Sequence, residues 1–182
     1  MARESAYNNL KKPVLEAHNS LRKNFTAEPL TWDDDLADSA QEYAEECEFE
    51  HSGISDIGEN LAAGYTTPED AVTAWSNEED DYKTGKITKD AGHFTQMVWK
   101  NTTMVGCGWK ECDGILKKGL KQVLLVCHYS PQGNWKDKET VKANVGENVH
   151  KSMGTGKIGM VRKVWRSVWG VGAMVVVWCW LQ

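Results

Sequence analysis

The chain has 182 residues, enough for one ordinary domain with a hydrophobic core. Hydrophobic residues make up 41% of it and charged residues 26%, which is a globular composition. The net charge is −5, but residues 151–182 hold five basic residues and no acid, so residues 1–150 carry a net charge of −10. An acidic body argues against nucleic-acid binding, which needs a basic surface.

Three helices are predicted in the first half of the chain. The first covers residues 12–23, where Pro13 suits the first turn. The second covers residues 33–48 and has acidic residues at its N-terminal end, where the helix dipole favours them. Thr67 is expected to cap the third helix. Between the second and third helices, residues 49–66 lack periodicity and are predicted to form a long loop.

The second half of the chain predicts a short helix and a hairpin. Residues 80–91 are polar and loop-like, and the stretch GHFTQMVW that follows predicts the helix. Residues 103–110 and 121–129 are apolar or β-branched runs on either side of a glycine-containing turn, so they predict two antiparallel strands. Residues 123–126 are apolar on both faces, which predicts a central strand covered by helices on both sides. The fold class expected is α+β, with a sheet between helices.

Four of the five cysteines lie in the body of the chain. The predicted hairpin places Cys107 opposite Cys127, and directly opposed strand residues lie within disulfide reach. Cys47 and Cys112 then remain for each other. Two disulfides would suit an oxidising compartment; the alternative is four reduced, buried cysteines.

Two motifs resemble a known family. GHFTQMVWKNT at 92–102 and CHYSPQGNW at 127–135 are similar to the signatures of the CAP superfamily, which includes cysteine-rich secretory proteins, antigen-five proteins and pathogenesis-related proteins. Further similar stretches, in the family's order, are HNSLR, WDDDLADSAQEYAEEC, HSG, GENLA and WSNE. The resemblance implies the CAP/SCP fold, an αβα sandwich with a central antiparallel sheet, in a pathogenesis-related-like member. It also implies the same two disulfides.

The resemblance divides the chain into a CAP/SCP domain at 10–149, an N-terminal extension at 1–9 and a tail at 150–182. The tail is basic and then apolar, and residues 168–181 form an apolar run of 14 residues. A membrane-spanning helix needs about 20 residues. Three interpretations are open: a marginal membrane anchor, an interfacial segment, or a translated intron or frameshift. The abrupt change in composition and an odd fifth cysteine favour the last.

The resemblance also implies a cleft that holds two histidines and two glutamates. By motif these are His51, Glu59, Glu78 and His93. Neutral imidazoles bind zinc and similar ions, so His51 and His93 are candidate ligands for a weakly bound divalent metal. The alternative is a purely structural hydrogen-bonded cluster. Catalysis is the least favoured interpretation, because no nucleophile accompanies the four residues by motif.

Many CAP proteins bind sterols or other small lipids, so the resemblance implies a secreted, non-enzymatic lipid-binding protein. Tyr82 and Ile87 are the candidate apolar contacts in the loop before GHF, but a loop so poor in apolar residues counts against a sterol site. The alternative is a secreted interaction module, a defence or virulence effector with a protein partner; a metal-dependent hydrolase is a third hypothesis. We expect an extracellular protein, although the polar N-terminus lacks the apolar segment of a signal peptide. Membrane association is expected only through the tail.

Overall fold

The computed structural model describes the backbone of residues 2–152 and the side chains of residues 10–150. The elements in chain order are α1 (Ala2–Asn24), β1 (Thr31–Trp32), α2 (Asp34–Glu45), β2 (Gly58–Tyr65), α3 (Pro68–Asn77), a 3-10 helix (Glu78–Asp81), α4 (Gly92–Met97), β3 (Met104–Asp113), β4 (Lys121–Ser130), α5 (Lys138–Asn144) and α6 (Val149–Ser152).

The four strands form one sheet in the order β1-β3-β4-β2, which makes β4 a central strand and β2 an edge strand. The hairpin β3–β4 and the pair β2–β4 are antiparallel, while β1 is parallel to β3. Every residue of β4 from position 124 to 129 is 0% exposed. The predicted central strand is therefore confirmed.

Helices cover both faces of the sheet. On one face Leu124 and Val126 of β4 pack against Ala40 and Ala44 of α2. On the other face, alternate β4 residues belong to a larger core formed with α1, α3 and α4. α2 lies so close to β3 that a Cβ on Gly106 or Gly108 would collide with the helix backbone. These layers form the αβα sandwich that the sequence predicts.

Both predicted disulfides are present in the structure. Cys107 and Cys127 face each other across β3 and β4, with Cα atoms 4.1 Å apart. Cys47 and Cys112 are bonded across 65 residues and tie the end of α2 to β3. The second bond closes the longer loop and so restricts the unfolded chain more.

The predicted loop at 49–66 is wrong in its second half, because residues 58–65 form β2. This strand is buried along most of its length and, apart from Leu61 and Tyr65, carries small or polar side chains. Neither the alternating nor the continuous apolar pattern of a strand is therefore visible in its sequence. The predicted start of the first helix is also wrong. α1 runs from Ala2, through the predicted extension, and Pro13 lies inside it.

The tail interpretations concern residues 150–182, of which 153–182 lie outside the described residues. Within the part of the chain that the structure describes, no helix combines the length and apolar character needed to cross a bilayer.

Arg22 of α1 is completely buried and binds four backbone carbonyls. Its Nε donates to the carbonyl of Glu28 at 2.6 Å, and its two Nη atoms donate at 2.9 Å to those of Met97, Trp99 and Thr102. Two of these carbonyls lie at and just beyond the end of α4, where helix carbonyls lack partners within the helix. The arginine of HNSLR therefore fixes α4 onto α1.

We expect Arg22→Met to lower the free energy of unfolding by about 3 kcal/mol or more, because it leaves the buried carbonyls of Met97, Trp99 and Thr102 without their donor. Urea unfolding with the disulfides intact measures the change. The matched control is Lys23→Met, an exposed neighbour on the same helix, for which we expect less than about 0.5 kcal/mol. Equal midpoints for the two variants would contradict the role of Arg22.

Candidate functional site

The candidate site is organised by two consecutive residues of β2. Side chains alternate between the faces of a strand, so Glu59 and Asn60 point to opposite faces of the sheet. Glu59 reaches His51 and His128, whereas Asn60 reaches the backbone of His93. Edge strand β2 thus lies between the two histidines that the resemblance identifies.

Glu59 accepts hydrogen bonds from two histidines. The Nδ1 atom of His51 lies 2.7 Å from Oε1, and the Nε2 atom of His128 lies 2.9 Å from Oε2. The backbone N–H of Ser52 donates to Oε1 at 3.0 Å. Burial opposes ionisation of Glu59, but the hydrogen bonds from His128, His51 and Ser52 outweigh it and lower the pKa from 4.5 to about 2.

Because an ionised carboxylate only accepts hydrogen bonds, both contacting ring nitrogens must carry protons. Neutral His51 then keeps Nε2 as its unprotonated nitrogen, and neutral His128 keeps Nδ1. His128 is 0% exposed, and its Nδ1 has no hydrogen-bond partner among the described residues.

Glu78 holds His93 in a similar way at the start of α4. Its Oε1 accepts from the Nδ1 atom of His93 at 2.6 Å, and its Oε2 accepts from the backbone N–H groups of His93 and Phe94 at 3.0 and 3.1 Å. The carboxylate therefore satisfies two unpaired donors of the helix N-terminus. The imidazole also stacks on Trp75, with ring centroids 5.6 Å apart and planes 21° apart.

A buried chain of hydrogen bonds connects this pair to the core. Asn60 donates from Nδ2 to the carbonyl of His93 at 3.1 Å and to the hydroxyl of Tyr129 at 3.2 Å. That hydroxyl lies 2.8 Å from Nε2 of His18, whose Nδ1 lies 2.8 Å from the carbonyl of Val14. Burial lowers the pKa of His18 to about 4, so at neutral pH it donates from Nδ1 and accepts the hydroxyl proton at Nε2.

A cleft of about 300 Å³ lies between β2 and α3. Its lining residues are Phe49, Leu61, Ala62, Ala63, Tyr65, Ala74, Trp75, Asn77, Glu78, Asp81 and His93. Of the four residues assigned by motif, Glu78 and His93 line this cleft, whereas His51 and Glu59 do not. Among the described residues, no hydrogen bond joins one His–Glu pair to the other. The hydrogen bonds of the four residues therefore group them as two pairs beside β2.

The four residues do not form a ready-made metal centre. Within residues 10–150, no group of three or more His, Cys, Asp or Glu side chains is placed to hold an ion. Each histidine nevertheless has the orientation seen in metal ligands, because one ring nitrogen donates to a carboxylate and the other is unprotonated in the neutral ring. The donor chemistry suits a metal, although a complete site would need further ligands.

The serines near the histidines have structural contacts. The hydroxyl of Ser76 donates to the carbonyl of Val72, and that of Ser52 accepts from the backbone N–H of Ile54. Among the described side chains, neither hydroxyl is hydrogen-bonded to a histidine, which is the contact that activates a serine nucleophile.

The two candidate lipid contacts pack inward. Tyr82 contacts Phe94, with ring centroids 5.6 Å apart, and its hydroxyl binds the backbone of Gly85 and Val145. Ile87 packs against the same core cluster. Neither residue lines the cleft.

Sequence reasoning missed Asn60 and His128. Both lie inside the motifs GENLA and CHYSPQGNW, but no local pattern distinguishes them from their neighbours. The useful signal would have been the strand at 58–65. Once β2 is paired with β4, Glu59 lies opposite His128 and on the same face.

The αβα sandwich, the two disulfides and the His–Glu pairs beside an edge strand together define a CAP-type domain. The profile of the Cysteine-rich secretory protein family matches residues 15–129, and the chain belongs to that family.

Relatives agree with this assignment. The chain is 34% identical over 146 residues to the PR-1 type pathogenesis-related protein of Sambucus nigra, covering 74% of this chain and 84% of that protein. It is 40% identical over 136 residues to protein lon-1 of Caenorhabditis elegans, covering 69% of this chain but only 43% of lon-1. The solved structure of Schistosoma mansoni venom allergen-like protein 4 matches with a TM-score of 0.59 and 27% identity, over 70% of this chain and 91% of that one.

We expect Glu59→Gln to reduce the acid sensitivity of the fold. The carboxylate has a folded pKa of about 2 against 4.5, so its contribution to stability is present above about pH 4.5 and is lost as the pH falls toward 2. The variant should therefore be less stable than the wild type at about pH 6, with a smaller difference at about pH 3.

Urea unfolding of both proteins at the two pH values measures these differences. Glu69→Gln, which changes an exposed carboxylate of α3, is the matched control and should leave the pH dependence unchanged. A destabilisation by Glu59→Gln that is equal at both pH values would count against the prediction.

Proposed function

We propose that this chain is a secreted, non-enzymatic binding protein that receives its ligand at the cleft beside β2. The main support is that no described hydroxyl contacts the ring of His51 or of His93, although a carboxylate orients each ring at Nδ1. Histidines without a bonded nucleophile suit ligand binding better than nucleophilic attack on a substrate. The similarity to pathogenesis-related proteins supports a role in defence or in interaction between organisms.

The first candidate ligand is a sterol or another small lipid. Leu61, Ala63 and Trp75 give the cleft an apolar wall, and its volume of about 300 Å³ is at the lower end of the range for small-molecule sites. Tyr82 and Ile87 are partly buried against the core and do not line the cleft, so the apolar contacts would come from this wall instead of the loop.

We expect Ala74→Arg to weaken binding of labelled cholesterol or ergosterol about tenfold or more, because it places a long charged side chain in the cleft. A saturation assay measures the dissociation constant. Ala143→Arg makes the same change at an exposed position of α5 and should have no effect. The lipid proposal fails if binding does not saturate, or if both variants bind as the wild type does.

The second candidate ligand is a divalent metal such as zinc, with His51 and His93 as ligands. It is favoured by the carboxylate contacts, which orient each ring and leave Nε2 as the donor nitrogen. A bound zinc ion would supply a Lewis acid or a fixed positive charge. Since two histidines make an incomplete ligand set, binding should be weak.

Isothermal titration with zinc tests this candidate. We expect measurable binding by the wild type and a loss of about tenfold or more in His51→Ala and in His93→Ala, because each removes one of two strong ligands. His150→Ala removes an exposed histidine outside the pairs and is the control. The metal proposal is rejected if zinc does not bind, or if all three variants bind it like the wild type.

A further inference from the structure

The cleft lies along the outer edge of β2. Leu61, Ala62 and Ala63 are consecutive residues of this strand, and all three line the cleft. Because consecutive side chains point to opposite faces, one cleft can contact all three only from the edge of the strand. Phe49 packs with the core on one face of the sheet and Trp75 with the core on the other, and both also line the cleft.

The hydrogen-bond register shows which backbone groups of β2 point into this space. Cys107 and Cys127 have Cα atoms 4.1 Å apart, the short distance typical of a pair without mutual backbone hydrogen bonds. Gly114 lies seven residues after Cys107, just past the end of β3. Its N–H donates to the carbonyl of Leu120, which fits the same alternation. The backbone groups of Cys127 therefore point away from β3 and toward its β2 partner, Asn60.

The backbone hydrogen-bonding groups of the residues on either side of Asn60 must then point in the opposite direction. The backbone N–H and C=O groups of Glu59 and Leu61 face away from β4, toward the outer edge of the sheet. Within the described part of the chain, no residue forms a hydrogen bond with these groups. Leu61 is only 2% exposed, and an unpaired backbone at a sheet edge is a template for an added strand.

The charge of the cleft indicates which side chains an added strand would carry. Glu78 and Asp81 line it, and no lysine or arginine does. Glu78 already contacts His93, whereas Asp81 is exposed at the end of the 3-10 helix. A cationic side chain would therefore find a complementary charge beside the edge of the strand.

We propose that the cleft binds a short extended peptide segment of a partner protein, which adds to β2 as a further strand and places a lysine or arginine beside Glu78 and Asp81. Backbone groups of Leu61, which lines the cleft, and of Glu59, two residues earlier on the same edge, form the hydrogen bonds. The apolar wall receives the neighbouring side chains. The inference rests on the proposed function, since it uses the same cleft as the ligand site.

The probe is an acetylated and amidated pentapeptide of alternating valine and lysine, titrated into the full chain. We expect saturable binding and about tenfold slower amide hydrogen exchange at Glu59 and Leu61. Two N-methylated peptides test strand addition, one methylated at the valine amides and one at the lysine amides. Since only alternate amides of an added strand face β2, one methylated peptide should bind about tenfold more weakly than the other.

Charge selection is tested with a valine–glutamate peptide and with Asp81→Asn. The acidic peptide should bind at least about tenfold more weakly than the lysine peptide, and Asp81→Asn should weaken lysine-peptide binding about threefold. Asp38→Asn, an exposed acid on α2, is the matched control and should have no effect.

The inference is overturned if the exchange rates at Glu59 and Leu61 do not change, if the two methylated peptides bind equally, or if the acidic peptide binds as well as the basic one. Sterol or zinc binding without peptide binding would remove this inference and leave the proposed function standing. Peptide binding without sterol or zinc binding would support the peptide site and reject sterol and zinc as ligands.

Discussion

The pleat of strand β2 is the constraint on which the site depends. Glu59 and Asn60 are adjacent, so their side chains must leave the sheet on opposite faces. On the α2 face, Glu59 therefore binds His51 of the preceding loop and His128 of β4. On the α4 face, Asn60 donates to the carbonyl of His93. Two His–Glu pairs on either side of one edge strand follow directly from this alternation.

Buried polar groups of the core hold that strand and the start of α4 in place. Tyr129 links Asn60 to His18 of α1, and Arg22, one helical turn later, binds the carbonyls at the other end of α4. A buried polar network is stabilising only when its members are satisfied, so these contacts favour one arrangement of the helix against the sheet. The motif HNSLR does not line the cleft, but its His18 and Arg22 hold the elements that form the cleft in place.

The carboxylates that orient the histidines also decide which ring nitrogen is open. Glu59 and Glu78 each occupy Nδ1 of a histidine, which leaves Nε2 open to a ligand. The proposed metal, lipid and peptide ligands would use different parts of the site: the open ring nitrogens, the apolar wall and the outward-facing backbone of β2. They would compete for the cleft, because Glu78, His93 and Leu61 line the same space.

Local sequence determined the elements with strong patterns. Two apolar runs on either side of a turn predicted the β3–β4 hairpin and its disulfide. Thr67 predicted the start of α3, where its side chain caps the helix. Motif resemblance supplied the four site residues. Only the tertiary structure decided that residues 58–65 form a strand, that His51 and His93 belong to separate pairs, and that His128 shares Glu59. The reason is physical: β2 is specified by its pairing with residues of β4 that lie 58 to 71 positions later in the chain, and its mostly small and polar side chains carry no local strand signal.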